Sequence, residues 1–319
     1  MNISCASFFA GVGGIDKGFD IAGFKTIYAN EIDKNAAITF SNNFKNVYLD
    51  ICDIKTLNER KDIPNFDVML AGFPCQAFSV AGYRQGFADE KGRGNLFFDL
   101  LRIIKVKKPK IVFLENVKNL VGHDNGNTFQ VISKCLEDEG YYIKPMVLNA
   151  SQYGNIPQTR ERIYIVCFKN KKYHQKFDFP KPIKLEKTLK DFIDFYNQQD
   201  EKFYYRNNCS FYEDLLNNVT SSNTCYQWRR IYIRENKSNL CPTLTANMGT
   251  GGHNVPIIRT HSGEFRKLTP RECFNLQGFP SDFILPEKLS NSSLYKQAGN
   301  SVVVSVIERI AKKIMEAIS

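Results

Sequence analysis

Histidine and tryptophan are scarce in this 319-residue chain, with four of the first and one of the second. The four histidines form no catalytic or ligand constellation. Nine cysteines are scattered with no C-x-x-C pair and no histidine partner at zinc spacing, so no metal site is expected. No apolar run approaches the roughly eighteen residues of a membrane helix. The start, "MNISCASFFAGVGG", lacks a basic segment, a long apolar stretch and a small-residue cleavage site. No secretion signal is therefore expected, and a cytoplasmic location with reduced, mostly buried thiols is. Internal repeats and low-complexity tracts are absent too.

What the chain has in excess is positive charge. Lys and Arg number 43 against 33 Asp and Glu, a formal net charge of +10, which favours a polyanionic partner. A hydrophobic content of 43% with 24% charged residues is that of an ordinary soluble protein. The length is near the limit for one core, so a large and a smaller domain are expected.

Up to about residue 170, short apolar runs ("CASFFA", "KTIYAN", "FDVMLAG", "PKIVFLEN", "RIYIVCF") alternate with helix-like segments. That alternation predicts an α/β domain with a mostly parallel, doubly wound sheet over residues 1–180. The pattern fails near Lys181, and 181–265, rich in Asn, Tyr, Lys and Ser, reads as a smaller, irregular strand-and-loop domain. Order returns over 266–319: Thr269 and Pro270 suit an N-cap and first helical position, and "SVVVSVIERIAKKIMEAIS" has helical spacing.

Ligands of open α/β sheets bind beyond the carboxyl ends of the strands, and four such ends carry signals. "FFAGVGGID" offers glycines at 11, 13 and 14 for a tight turn at a helix start, although Asp16 breaks the dinucleotide fingerprint. "YANEID" places Glu31 about twenty residues on, where an acid can bind ribose hydroxyls; a solvated acid beside a capping Asp33 is the plainer alternative. Asp53, in "DICDI", suits an adenine amino group or a simple turn. In "AGFPCQAFSV", Pro74 restricts Phe73 to extended geometry just before Cys75. "VFLENV" brings Glu115 and Asn116 to a neighbouring strand end. There, apolar surroundings would raise the pKa of the carboxyl and suit it to proton donation, unless it merely caps a helix.

Taken in order, "FAGVGG", "GFPCQAFS", "ENV", "QTRERIYIV" and "QAGNSV" closely resemble the motifs of bacterial DNA (cytosine-5)-methyltransferases, the modification enzymes of restriction systems. The resemblance is dense over residues 3–168 and 266–308. It implies a Rossmann-like S-adenosylmethionine-dependent methyltransferase fold, with 181–265 as target recognition domain and the last helix packed back onto the catalytic domain. By that resemblance Cys75 is the nucleophile that adds to C6 of a cytosine. Glu115 binds N3 and the exocyclic amine, Arg162 holds the O2 side, and Arg160 supports it. Phe9, Gly11, Gly14, Glu31, Ile32, Asp53, Ile54, Pro74, Leu96, Asn300 and Val302 form the S-adenosylmethionine pocket.

C5 and C6 are hidden in duplex DNA, so the base must flip out of the stack. Residues 76–95, polar and glycine-dotted, then suit a loop that closes over DNA, with Ser79 near the vacated space and Lys91 and Arg93 on phosphates. In the recognition segment Trp228, Arg229, Arg230 and Arg234 suit guanine edges or phosphates. Thr243 and Leu244 resemble a Thr-Leu pair of the family's recognition domains, which implies that both contact DNA. The resemblance further implies a monomer with double-stranded DNA as partner and a restriction endonuclease as functional counterpart. Two alternatives stay open: a related enzyme acting on transfer RNA, which normally lacks a sizeable recognition domain, and a catalytically dead nucleic-acid or nucleotide-binding module.

Overall fold

Ser4–Phe8 (β1) is buried along nearly its whole length, as are Val68–Gly72 (β4) and Ile111–Val117 (β5). Strands that are apolar on both faces need cover on both, which is the condition of a parallel sheet inside an α/β layer. The computed structural model, which describes residues 3–74, 96–229, 231–250 and 254–319, builds such a sheet. With β2 (Lys25–Asn30), β3 (Tyr48–Asp50), β6 (Tyr142–Asn149) and β7 (Glu161–Phe168), its order is β3-β2-β1-β4-β5-β7-β6. The pairs from β3 through β5 are parallel, and β7 runs antiparallel to β5. The chain moves outward from β1 to β3 and then returns to the other side as β4. The carboxyl ends of β1 and β4 therefore flank the switch point where such sheets bind ligands.

Helices α1 (Gly14–Ile21), α2 (Lys34–Asn43), α3 (Leu96–Lys107) and α4 (Asn127–Asp138) connect these strands. On α3, Phe97, Leu100, Leu101, Ile103 and Ile104 recur at helical spacing and are buried in the main core. Gly18 on α1 is fixed by a neighbour: a Cβ there would lie 2.6 Å from Cβ and Cγ2 of Ile307, on the C-terminal helix Val304–Ile318. Among the described residues, no helix is long and apolar enough to cross a membrane.

Backbone contacts divide the chain into two units. The first comprises Met1–Leu148, Glu161–Pro180 and Ile307–Ser319, and the second Asn149–Arg160 and Lys181–Val306. The long segment of the second unit begins at Lys181, where the sequence pattern changes. Residues 266–306 group with it, whereas the expected return segment began at 266. Hydrogen bonds carry that grouping: Gln158 donates to the Leu276 carbonyl (2.7 Å), and its own carbonyl oxygen receives the Leu244 N–H (3.2 Å).

The second unit is less irregular than expected. It holds a five-stranded sheet, β10-β9-β11-β12-β8, of Tyr204–Tyr205 (β8), Tyr226–Trp228 (β9), Ile233–Glu235 (β10), Ile257–Arg259 (β11) and Phe265–Lys267 (β12), paired antiparallel. Two- and three-residue strands are too short to show alternation, which hid the sheet from the sequence. Tyr226, Ile233, Ile257 and Phe265 make its core with Leu215 and Val219. Arg266, fully buried, is held by two parallel bonds to Glu272 (2.7 and 2.9 Å), the pairing that a buried charge requires. Thr269 and Glu272 form a capping box, with Pro270 in the first turn, as the sequence predicts.

Candidate active site

The end of β1 is bent at once. Phe9 lies at φ 54°, in the left-handed region, and Gly11 and Gly13 follow at positive φ before α1 begins at Gly14. The Gly11 N–H donates to Oε2 of Glu31 (2.7 Å), and the Asp33 N–H donates to Oε1 (2.7 Å). One carboxylate thus fixes both the glycine loop and the start of α2, while each oxygen keeps a second lone pair. Asp33 caps α2 by accepting from Asn35 and Ala36, while Glu31 beside it is buried rather than solvated. Ile32 stands 60% exposed between them.

Asp53 caps the turn Ile54–Thr56 by accepting the Lys55 N–H (3.0 Å), and Ile54 is a core residue. Arg102, which no motif in the sequence marks, holds this segment. Its guanidinium donates to the carbonyls of Leu57 (2.9 Å) and Ile54 and pairs with Glu59 and Asp99. Asp16, noted only for breaking a motif, is fully buried under hydroxyls from Ser7 (2.9 Å) and Thr26 (3.2 Å). Burial lifts its carboxyl to about 6, and the two hydroxyl bonds oppose the rise.

Glu115, on β5, lies opposite Gly72 of β4 and Tyr164 of β7. Its Oε1 is 3.2 Å from Nε of Arg162, and the pair is largely shielded from solvent. Gly72 leaves the room they need, since a Cβ there would sit 3.3 Å from Oε2 of Glu115. Asn116 donates to the Phe73 carbonyl (2.9 Å) and accepts the Val117 N–H (2.8 Å), clipping the end of β4 to β5. The fold therefore brings Glu115, Arg162 and the end of β4 together. Pro74 is exposed, and Leu96 opens α3 half-buried. Cys75, Ser79, Lys91 and Arg93 lie outside the described residues, as does Arg230.

In the second unit two expectations change. Arg160, expected to support Arg162 at the site, is 3% exposed, and its guanidinium donates to the carbonyls of Leu244 (2.7 Å), Gly299 (3.2 Å) and Ser301. Those bonds make it a strut for two backbone turns. Leu244, expected at DNA, is 1% exposed and its side chain packs inside; Thr243 donates its hydroxyl to the Thr159 carbonyl. Trp228 stacks on Phe211 (centroids 4.6 Å apart) and is a platform for the small core. Arg229 and Arg234 are exposed on the β9–β10 hairpin, whose tip also exposes Ile231 and Tyr232. Asn300 ends the helix Asn291–Asn300 exposed, and Val302 is buried. Among the described residues no cluster of His, Cys, Asp and Glu is placed to hold a metal.

A seven-stranded, mostly parallel sheet in which β7 runs antiparallel to β5, a glycine loop answered by an acid just after the next strand, and a carboxylate–guanidinium pair between β5 and β7 define an α/β methyltransferase. The comparisons name the branch. The model of C-5 cytosine-specific DNA methylases matches residues 3–316, and the chain belongs to that family. It is a DNA cytosine methyltransferase. Type II methyltransferase M.Bsp6I of Bacillus sp. (strain RFL6) is 62% identical over 317 residues, spanning 99% of both chains. Type II methyltransferase M.HhaI of Haemophilus parahaemolyticus is 40% identical over 318 residues, 96% of this chain and 92% of that one. In fold, the S. pombe Dnmt2 methyltransferase superposes over 100% of both chains with a TM-score of 0.77 at 18% identity.

Proposed function

We propose that the enzyme transfers a methyl group from S-adenosylmethionine to C5 of a flipped-out cytosine in a short duplex sequence, through a covalent bond from Cys75 to C6. The Glu115–Arg162 pair across the ends of β5 and β7 carries this reading. A carboxyl and a guanidinium side by side match the N3 and O2 edge of a cytosine and respond to charge that builds on the ring.

The site suits the cofactor by its donors and its space. Phe9, Gly11 and Gly14 shape the loop at the N-terminus of α1, Glu31 keeps lone pairs for ribose hydroxyls, and Asp53 meets the adenine amine. Ile32, Ile54, Pro74 and Leu96 supply apolar surface, and Asn300 and Val302 enter through the family motif. When bound, the cofactor supplies an electrophilic methyl group on a sulfonium. The Cys75 thiolate adds its electron pair to C6, while Glu115 protonates or hydrogen-bonds N3 to offset the charge. The enamine so formed makes C5 nucleophilic enough to take the methyl group, whose bond to sulfur breaks to leave S-adenosylhomocysteine. Loss of the C5 proton to a base then returns an electron pair to the ring and expels the Cys75 thiolate.

Around this step, residues 76–95 close over the DNA, with Ser79 beside the vacated space and Lys91 and Arg93 on phosphates. Arg229, Arg230, Arg234 and Thr243 contact the duplex. The enzyme works as a monomer in the bacterial cytoplasm and protects DNA from a cognate restriction endonuclease. Bisulfite sequencing of a plasmid carrying the gene tests the reading. Wild type should leave one short sequence protected at a single cytosine, and Cys75→Ala should leave none; methylation by the variant overturns the mechanism.

A further inference from the structure

At the opposite end of the first sheet lies a groove of about 620 Å³. It is bounded by edge strand β3 and by residues 60–65, which lead into β4, and by the last turn of α3, which leads to β5. Tyr48 opens β3, and residues 60–65 and Lys107 precede β4 and β5. Neither the glycine loop nor Glu31, Asp53 or Glu115 lines it.

Its lining combines an aromatic platform with cations. Tyr48 is 66% exposed and stacks on Tyr28 (centroids 6.0 Å apart, planes at 26°), whose hydroxyl is set by Asp50 at 3.4 Å. Arg60 and Lys61 are exposed and, among the described residues, form no ion pair. Lys107 is half-buried and directed by the Asn65 amide oxygen (3.5 Å). Burial lowers its pKa, a cost that an anion in the groove would offset. Asp62, the acid of the lining, is engaged by the Asn58 N–H (2.7 Å).

We propose that this groove binds a nucleotide, with the base stacked on Tyr48 and the phosphate held by Arg60, Lys61 and Lys107. A ring platform beside clustered cations is what recognises an unpaired base together with its phosphate, whether in a free nucleotide or at a single strand. The volume falls in the range of small-ligand pockets.

Equilibrium dialysis on the intact enzyme tests this, with saturating S-adenosylhomocysteine to fill the cofactor pocket and 5′-AMP, adenosine, inorganic phosphate and a short single-stranded oligonucleotide as probes. The expected result is that AMP or the oligonucleotide binds at least about tenfold tighter than adenosine or phosphate. Tyr48→Ala and Lys61→Ala should each weaken that binding about tenfold, with DNA methylation unchanged. Binding by AMP identifies a free nucleotide as the source, and binding by the oligonucleotide alone identifies a strand. Failure of both to bind, or binding undiminished in both variants, overturns the proposal.

Discussion

In the proposed mechanism Glu115 acts on the ring and not on the cofactor, so its replacement should separate chemistry from binding. Glu115→Gln keeps shape and hydrogen bonding but cannot ionise. Its turnover should fall about 10²- to 10⁴-fold while S-adenosylmethionine affinity stays within about twofold. Equal losses in both would contradict the assignment. Asp16 makes a different kind of prediction, one of stability, since it is fully buried and costly to charge. Its carboxyl titrates near 4 when unfolded and at about 6 when folded. The folded state favours the protonated form, so this contribution is fully present below pH ~4 and is lost as pH rises through about 6. Asp16→Asn stays neutral throughout, and its stability relative to wild type should improve on the order of 3 kcal/mol between pH 4 and pH 7. Denaturant unfolding at the two pH values measures it; a constant difference contradicts it.

Two elements depend on contacts that single residues make at a distance. Arg102 on α3 holds the carbonyls of Ile54 and Leu57, and with them the turn that presents Asp53. Arg102→Met should release that segment and weaken S-adenosylmethionine binding about tenfold, read by calorimetry. Unchanged affinity would make the contact purely structural. Gly18 sits where α1 meets the C-terminal helix, and an added Cβ meets the backbone of Glu308 at 2.9 Å as well as the Ile307 side chain. Gly18→Ala should therefore lower stability by about 1–3 kcal/mol, seen as a lower denaturation midpoint. On the β9–β10 hairpin, exposed Arg229 and Arg234 should each contribute about one unit to the slope of log affinity against log salt. Double alanine replacement with an unaltered slope would remove them from the phosphate contacts.

For the whole molecule, β1, β4, β5 and β7 were legible because they are near-continuous apolar runs of five to eight residues. The carboxyl ends of β2 and β5 point to Glu31 and Glu115 in the same way. The small sheet was not legible, because strands of two or three residues leave no period to detect. Nor was the bond network of Arg160, Gln158 and Leu244, whose partners lie 84 to 141 residues apart. Ser7, Asp16 and Thr26 come together only when β1, α1 and β2 pack.

The central claim is the covalent step, and trapping it is the most direct measurement. In a duplex carrying 5-fluorocytosine at the target position, fluorine replaces the proton that must leave after methyl transfer, so expulsion of the thiolate is blocked. With S-adenosylmethionine present, the wild-type enzyme should form a denaturation-resistant complex whose crosslinked peptide contains Cys75, and Cys75→Ala should form none. Methylation of the unsubstituted duplex without such a complex, or a crosslink at another residue, would contradict the account.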